Sequence, residues 1–171
     1  MKKQEIPVVL ATLVFPVRGI EVMLAEKVQK IGAGCLNGWG GKVKTGESLR
    51  ACAAREFFEE SCAKINEKDL VKVGIVHFTN HNTDRSVFIC VVHVYTITRW
   101  TGEIVSTREM KSPAWYRRRF VAREKLMLAD RYWLSKMLSG KKGIVWAEYG
   151  PHQQTLIGDV CFEPVDSFEE E

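Results

Sequence analysis

The sequence predicts an α/β domain, and three observations carry that prediction. Val8 to Phe15 is an unbroken run of apolar and β-branched residues, the signature of a central strand. Between residues 48 and 61, Leu49, Ala53 and Phe57 recur every fourth position, which places them on one face of a helix. Two more apolar runs, Val71 to Phe78 and Val87 to Ile97, are followed by a second helical stretch, Ala129 to Leu138. A chain of 171 residues, 46% hydrophobic and 27% charged, suits one soluble globular unit with a single core. We expect one domain over residues 1–165 and an acidic, frayed tail over residues 166–171.

The elements follow in order. Pro16 cannot donate to a ladder and should end the first strand, with Pro16 to Gly19 as the turn. Ile20 to Ala25 then reads as the hairpin partner, Ile20, Val22 and Leu24 facing the core and Glu21 and Met23 facing away. The segment KIGAGCLNGWGGK, residues 30–42, permits close backbone approach to a ligand and leaves Lys27, Lys30, Asn37, Trp39 and Lys42 as its prominent side chains. It is not a Walker loop, because Val43 follows Lys42 where that motif needs Ser or Thr.

Thr45 to Ser48 offers capping chemistry for a helix over Ser48 to Ser61. The polar loop TNHNTDRS separates the two middle strands. His77, His81 and His93 do not form H-E-x-x-H and receive no metal role. Glu109 falls in a loop, STREMKSPAWY. Arg117, Arg118 and Arg119, with Arg123 nearby, cannot all face one side of an element, so the run reads as solvated surface rather than a phosphate-binding patch. In the second helix Tyr132, Trp133 and Met137 should form the apolar side, with a stop at Gly140. Gly143 to Ala147 and Thr155 to Phe162 read as a closing hairpin.

A net charge of +4 suits anionic small molecules without demanding nucleic acid. Five scattered cysteines with no paired spacing argue against disulfides and a zinc site, and fit a reducing compartment. The N-terminal lysines precede an apolar run, but Glu5 and Pro7 interrupt it and no cleavage site follows. A cytoplasmic monomer with no membrane or nucleic-acid partner is expected, acting on a small-molecule nucleotide.

The chemistry concentrates in Gly41 to Ala63. Glu56, Glu59 and Glu60 share a helix face, where they repel one another unless a hard divalent cation joins them. Arg55 can pair with Glu47 or with a neighbouring carboxylate. Gly41, five residues, Glu47, seven residues, then Arg55-Glu56-Phe57-Phe58-Glu59-Glu60 resembles the Nudix box, the signature of hydrolases acting on a nucleoside diphosphate linked to another group. Cys62 stands where the box has glycine, and the turn there is expected to adjust, leaving the glutamates in place. The enzyme reading requires those carboxylates to converge.

Further segments are similar to the Nudix subgroup that hydrolyses oxidised purine nucleoside triphosphates, the 8-oxo-dGTP diphosphatases: Gly32 to Lys42, Lys72-Val73-Gly74, Glu109-Met110 with Pro113 and Trp115, and Asp130 with Tyr132-Trp133. The resemblance implies an α/β/α sandwich with a mixed central sheet. It also implies Mg²⁺, or Mn²⁺, at Glu56, Glu59, Glu60, the Gly40 carbonyl and Glu109. The catalytic set becomes Glu59, Glu60 and Arg55, with Glu59 or Glu60 as the base and Glu109 as a further candidate; Gly41 and Glu47 are structural.

Implied substrate contacts are Asn37, Lys27, Phe78, Met127 and Asp130, and the implied products are nucleoside monophosphate and pyrophosphate. In the base-reading stretch Met127 replaces a tryptophan and Ala129 the first of two aspartates. An aspartate pair can share a proton and present both donor and acceptor, which one ionised carboxylate cannot. The alternatives are another Nudix activity, on dinucleoside polyphosphates, nucleotide sugars or capped RNA, and a non-catalytic nucleotide-binding module.

Overall fold

Two long strands lying side by side organise the molecule, β1 (Val8–Arg18) and β5 (Val87–Ile97), paired in parallel from Val8 opposite Ile89 to Pro16 opposite Ile97. The computed structural model describes residues 5–169, so Met1 to Gln4 of the N-terminal stretch and Glu170 and Glu171 of the tail lie outside the described residues. The other elements are β2 (Glu21–Lys27), β3 (Leu36–Asn37), α1 (Leu49–Ser61), β4 (Val71–His81), β6 (Met110–Arg117), α2 (Asp130–Leu138), β7 (Gly143–Tyr149) and β8 (Cys161–Pro164). They form an eight-stranded sheet in the order β3-β2-β1-β5-β4-β7-β8, with β6 paired to β2. β4 runs antiparallel to β5 and parallel to β7, so the sheet is mixed, as expected.

Strand alternation sorts the core into two layers. Val14 and Tyr95 point to one face, where they pack with Trp39, Ala53 and Phe57 under α1. Phe15 and Val94, one residue along each strand, point to the other and pack with Trp133, Leu134 and Met137 of α2. The sheet therefore lies between the two helices. Ser48 caps α1 by accepting from the Ala51 amide, which matches the capping chemistry read from the sequence. No helix among the described residues is long and apolar enough to cross a membrane.

Several expectations are corrected. β1 does not stop at Pro16, because pairing with β5 ends there and pairing with β2 begins at Val17; the missing amide falls at the changeover. The turn moves to Gly19 and Ile20, leaving Ile20 69% exposed while Val22 and Leu24 are buried. Residues 110–117, read as loop, form β6. Pro113 is tolerated there because β6 pairs with β2 alone among the described residues. Residues 155–160 are not strand; a short turn over Pro151–Gln153 and irregular chain lead to β8.

Tyr132 is 49% exposed and lies beneath Arg123 rather than in the core. Within the arginine run Arg118 turns inward, donating to the carbonyls of Glu21 (3.2 Å) and Leu138 (3.1 Å), while Arg117 and Arg119 stay exposed. The turn at Cys62 does not adjust. Its φ is 65°, and its amide donates to the Phe58 carbonyl at 2.9 Å, so cap hydrogen bonding holds a cysteine in the left-handed region. Near the chain end the Val165 amide donates to Lys142, and Lys72 lies over Phe168.

Phe57 is fully buried and meets Trp39 edge to face at 5.7 Å, tying α1 to the loop before it. Phe57→Ala is expected to lower unfolding free energy by about 3–5 kcal/mol. Urea unfolding should show a lower midpoint with unchanged slope, and a loss under about 1 kcal/mol would mean that α1 is anchored elsewhere.

Candidate active site

The segment after β3 runs along the free side of β1 as an irregular strand. Thr12 donates to the Gly41 carbonyl (2.9 Å), Val14 to Trp39 (2.7 Å), and Val43 to Leu10 (2.9 Å). Side chains meet neighbours at three points, Gly38 among them, where a Cβ would lie 2.5 Å from the Val14 carbonyl. A Cβ at Gly40 would collide with the Thr12 carbonyl, and one at Gly41 would sit 2.5 Å from the Glu56 carboxylate. The glycines thus let the loop slide between β1 and α1.

Arg55 is the hub of the acidic end. It donates to both oxygens of Glu47, at 2.7 and 2.9 Å, and its Nη1 reaches Glu56 at 2.5 Å and Glu59 at 3.3 Å. Glu56 and Glu59 therefore converge on one nitrogen rather than splaying apart. The Arg55 hydrogen bonds hold the Glu47 carboxyl down at about 2. Glu60 turns the other way, into the fold, where it is 8% exposed and accepts from the Gly40 amide at 3.0 Å. Burial pushes its pKa up to about 7 against the pull of Gly40, and the negative charges of Glu109 and Glu56 add to the rise. Glu109 stands just before β6 and pairs with Lys30 at 3.6 Å.

The expected metal ligands Glu56, Glu59, Glu60 and Glu109 do not form a ready cage: no group of three acidic, histidine or cysteine side chains among the described residues is arranged to hold an ion. Three of these four carboxylates are engaged by basic side chains: Glu59 pairs with Arg55 and Lys44, Glu56 with Arg55, and Glu109 with Lys30. The donor set still fits a hard dication, being all carboxylate with a glycine backbone alongside, and Glu60 feels two of its partners as unfavourable charge.

Beside this end a cleft of about 350 Å³ opens on the α2 side of the sheet. Gly40 and Glu60 line it, and so do Lys27, Asn37, Phe78, Met127 and Asp130. Residues scattered through the sequence are thus gathered in one cavity, whereas Glu56, Glu59, Glu109, Arg55 and Glu47 lie outside its lining. Asn37 Oδ1 accepts from the Gly38 amide at 2.8 Å, which fixes its orientation and turns its NH₂ away from that bond.

Asp130, 5% exposed at the start of α2, is driven up to about 7 by burial, opposed by the Trp133 indole and Lys27. Near neutral pH this one side chain has both a protonated, donating form and an ionised, accepting form. Lys30, Cys90 and Gln153 also line the cleft and went unassigned as substrate contacts. Strand alternation in β5 could have found Cys90; nothing local marks Gln153.

A family model described as NUDIX domain matches residues 7–137. The chain is 31% identical over 143 residues to a Danio rerio protein named oxidized purine nucleoside triphosphate hydrolase, covering 84% of this chain and 88% of that one. It is 31% identical over 159 residues to a Mus musculus protein of the same name, covering 93% and 97%. Among solved structures, a mutator MutT protein from Bacillus halodurans superposes with a TM-score of 0.73 at 22% identity, over 90% of this chain and 97% of that one. A MutT NUDIX hydrolase from Burkholderia pseudomallei superposes with a TM-score of 0.63 at 19% identity, over 77% and 96%. These structures share the fold.

The raised Glu60 pKa has a thermodynamic sign. The unfolded chain gives up this proton near 4.5 and the folded protein near 7, so the group's contribution to stability is full below 4.5 and is lost as pH rises through 7. In metal-free buffer with chelator, Glu60→Gln is expected to melt higher than the parent at pH 8, with a smaller difference at pH 4. Thermal melts at the two pH values measure this; a difference that does not grow with pH contradicts the buried-carboxylate account.

Proposed function

Since the chain belongs to the Nudix family, we propose that it hydrolyses oxidised purine nucleoside triphosphates to the monophosphate and pyrophosphate, removing damaged nucleotides from the pool, with Mg²⁺ as cofactor and Mn²⁺ as a substitute. The observation that carries the reading is the cleft, which joins the buried Glu60 and Gly40 to Asn37, Met127 and Asp130. One nucleotide can therefore meet the acidic end and the base-binding end together. The two relatives bearing the oxidized purine nucleoside triphosphate hydrolase name cover most of the chain and support the same substrate class.

Glu56, Glu59 and Glu60, with the Gly40 backbone and Glu109 close by, are the residues to hold the ion. A bound dication supplies phosphate charge neutralisation and a more acidic water. The chain does the rest. Glu47 holds Arg55 by two hydrogen bonds, and Arg55 keeps Glu56 and Glu59 on one side of the helix. Of the two candidate bases, Glu60 is better suited to take a proton from water, because burial and neighbouring negative charge favour its protonated form. Glu59 is half exposed and tied to Arg55 and Lys44. Lys27 lines the cleft and acts on both Glu60 and Asp130, a position suited to a polyphosphate passing between them.

Incubation of the protein with 8-oxo-dGTP and Mg²⁺ should release 8-oxo-dGMP and pyrophosphate, resolved by chromatography. Glu60→Gln should lower turnover by about 10²-fold or more with folding retained. Asp130→Asn should raise KM for purine substrates about tenfold, more than it lowers kcat. Release of orthophosphate, or equal use of dGTP and 8-oxo-dGTP, argues for a different Nudix substrate.

A further inference from the structure

Gln153 lies beyond residues 7–137, the segment matched by the family model, yet its side chain lines the same cleft as Met127 and Asp130. Unusual backbone carries it there. His152 and Gln153 are consecutive non-glycine residues with left-handed φ, 56° and 54°. The loop is closed against β7: Gln153 N–H donates to the Gly150 carbonyl (3.1 Å), Gly150 N–H to Thr155 (3.0 Å), and Ile157 N–H to Glu148 (2.8 Å).

A relay fixes which way the Gln153 carboxamide faces. Asn80 on β4 is 4% exposed, and its Nδ2 donates to the Phe78 carbonyl at 2.9 Å. A carbonyl can only accept, so Asn80 must present NH₂ to Phe78 and Oδ1 to its other neighbour. That neighbour is Gln153, whose Nε2 donates to Asn80 Oδ1 at 2.7 Å. The network thus sets the orientation of both amides, and Gln153 Oε1 is left as an acceptor at the cleft.

We propose that Gln153 is a specificity-determining residue of the base end, its Oε1 accepting a hydrogen bond from N7–H of a purine oxidised at C8. This rests on the hydrolase reading above and adds to it the group that separates oxidised from ordinary purines. Oxidation of C8 to a carbonyl converts N7 from a lone-pair acceptor into an N–H donor. A fixed acceptor gains a bond with the oxidised base and faces a lone pair on the ordinary one, so it discriminates by attraction and by repulsion. Asn80 acts through Gln153 as a positioning residue.

Gln153→Gly tests the assignment, because glycine adopts a φ of 54° without strain while the side chain with its carboxamide is removed. Two ratios are read: kcat/KM for 8-oxo-dGTP over dGTP with Mg²⁺, and the affinity for 8-oxo-dGMP over dGMP by calorimetry. Both should fall about tenfold, the first through KM. Asn80→Ala should lower the same ratios part of the way, since an unpinned amide can turn over. Unchanged ratios in Gln153→Gly, or a parent protein that binds both monophosphates alike, overturn the assignment. A parent that hydrolyses neither triphosphate but loses its selective monophosphate binding in Gln153→Gly overturns the hydrolase reading and leaves Gln153 standing.

Discussion

The guanidinium of Arg55 keeps Glu47, Glu56 and Glu59 within reach of one another, and the acidic face of α1 beside the cleft depends on it. Carboxylates this close repel; placed between them, a cation with several directed donors turns the repulsion into a fixed arrangement. Lysine could neutralise the charge but could not grip Glu47 with two parallel hydrogen bonds while reaching Glu56 and Glu59. The grip matters because the Glu56 carboxylate it fixes lies against Gly41, where a Cβ would come within 2.5 Å of it. Helix, loop and carboxylates are thereby one mechanical unit, seated on β1 through Phe57 and Trp39.

Burial performs a second task at two separate points. Glu60 and Asp130 are both taken out of water, and both are pushed up to about 7. In each case the low local dielectric disfavours charge, and Lys27 opposes the shift. The consequences differ with position. At the acidic end a proton-hungry carboxylate beside other carboxylates suits metal and proton chemistry. At the α2 end a carboxyl raised by burial can donate when protonated and accept when ionised. One physical effect therefore acts on two carboxyl groups that line a single cleft.

Much of the site was legible in the chain order because it is local. Gly41, Glu47 and the helix from Arg55 to Glu60 are tied by helical periodicity and a short loop, so their spacing already encodes which side chains meet. The helix cap at Ser48 and the span of β5 were legible for the same reason. Where the outcome depends on a distant partner, the reading failed. β6 reads as a loop, and its strand character comes from pairing with β2, far from it in the chain. Ile20 and Tyr132 look like core residues by alternation, but the turn and the layer edge leave them in solvent. Cys62 kept a left-handed turn because its hydrogen bond to Phe58 outweighs the preference of an L residue.

By itself, then, the sequence determined the spacing of the acidic residues and the two helices, since periodicity and spacing act within a few residues. Only the tertiary structure decided which side chains line the α2 end of the cleft. Asp130 acquires its raised pKa from packing that no neighbour in sequence reveals. Gln153 reaches the cleft through a left-handed turn and is oriented by Asn80, which lies on β4, a strand far from it in the chain. Desolvation and hydrogen-bond relays are properties of the assembled core, and spacing along the chain does not encode them.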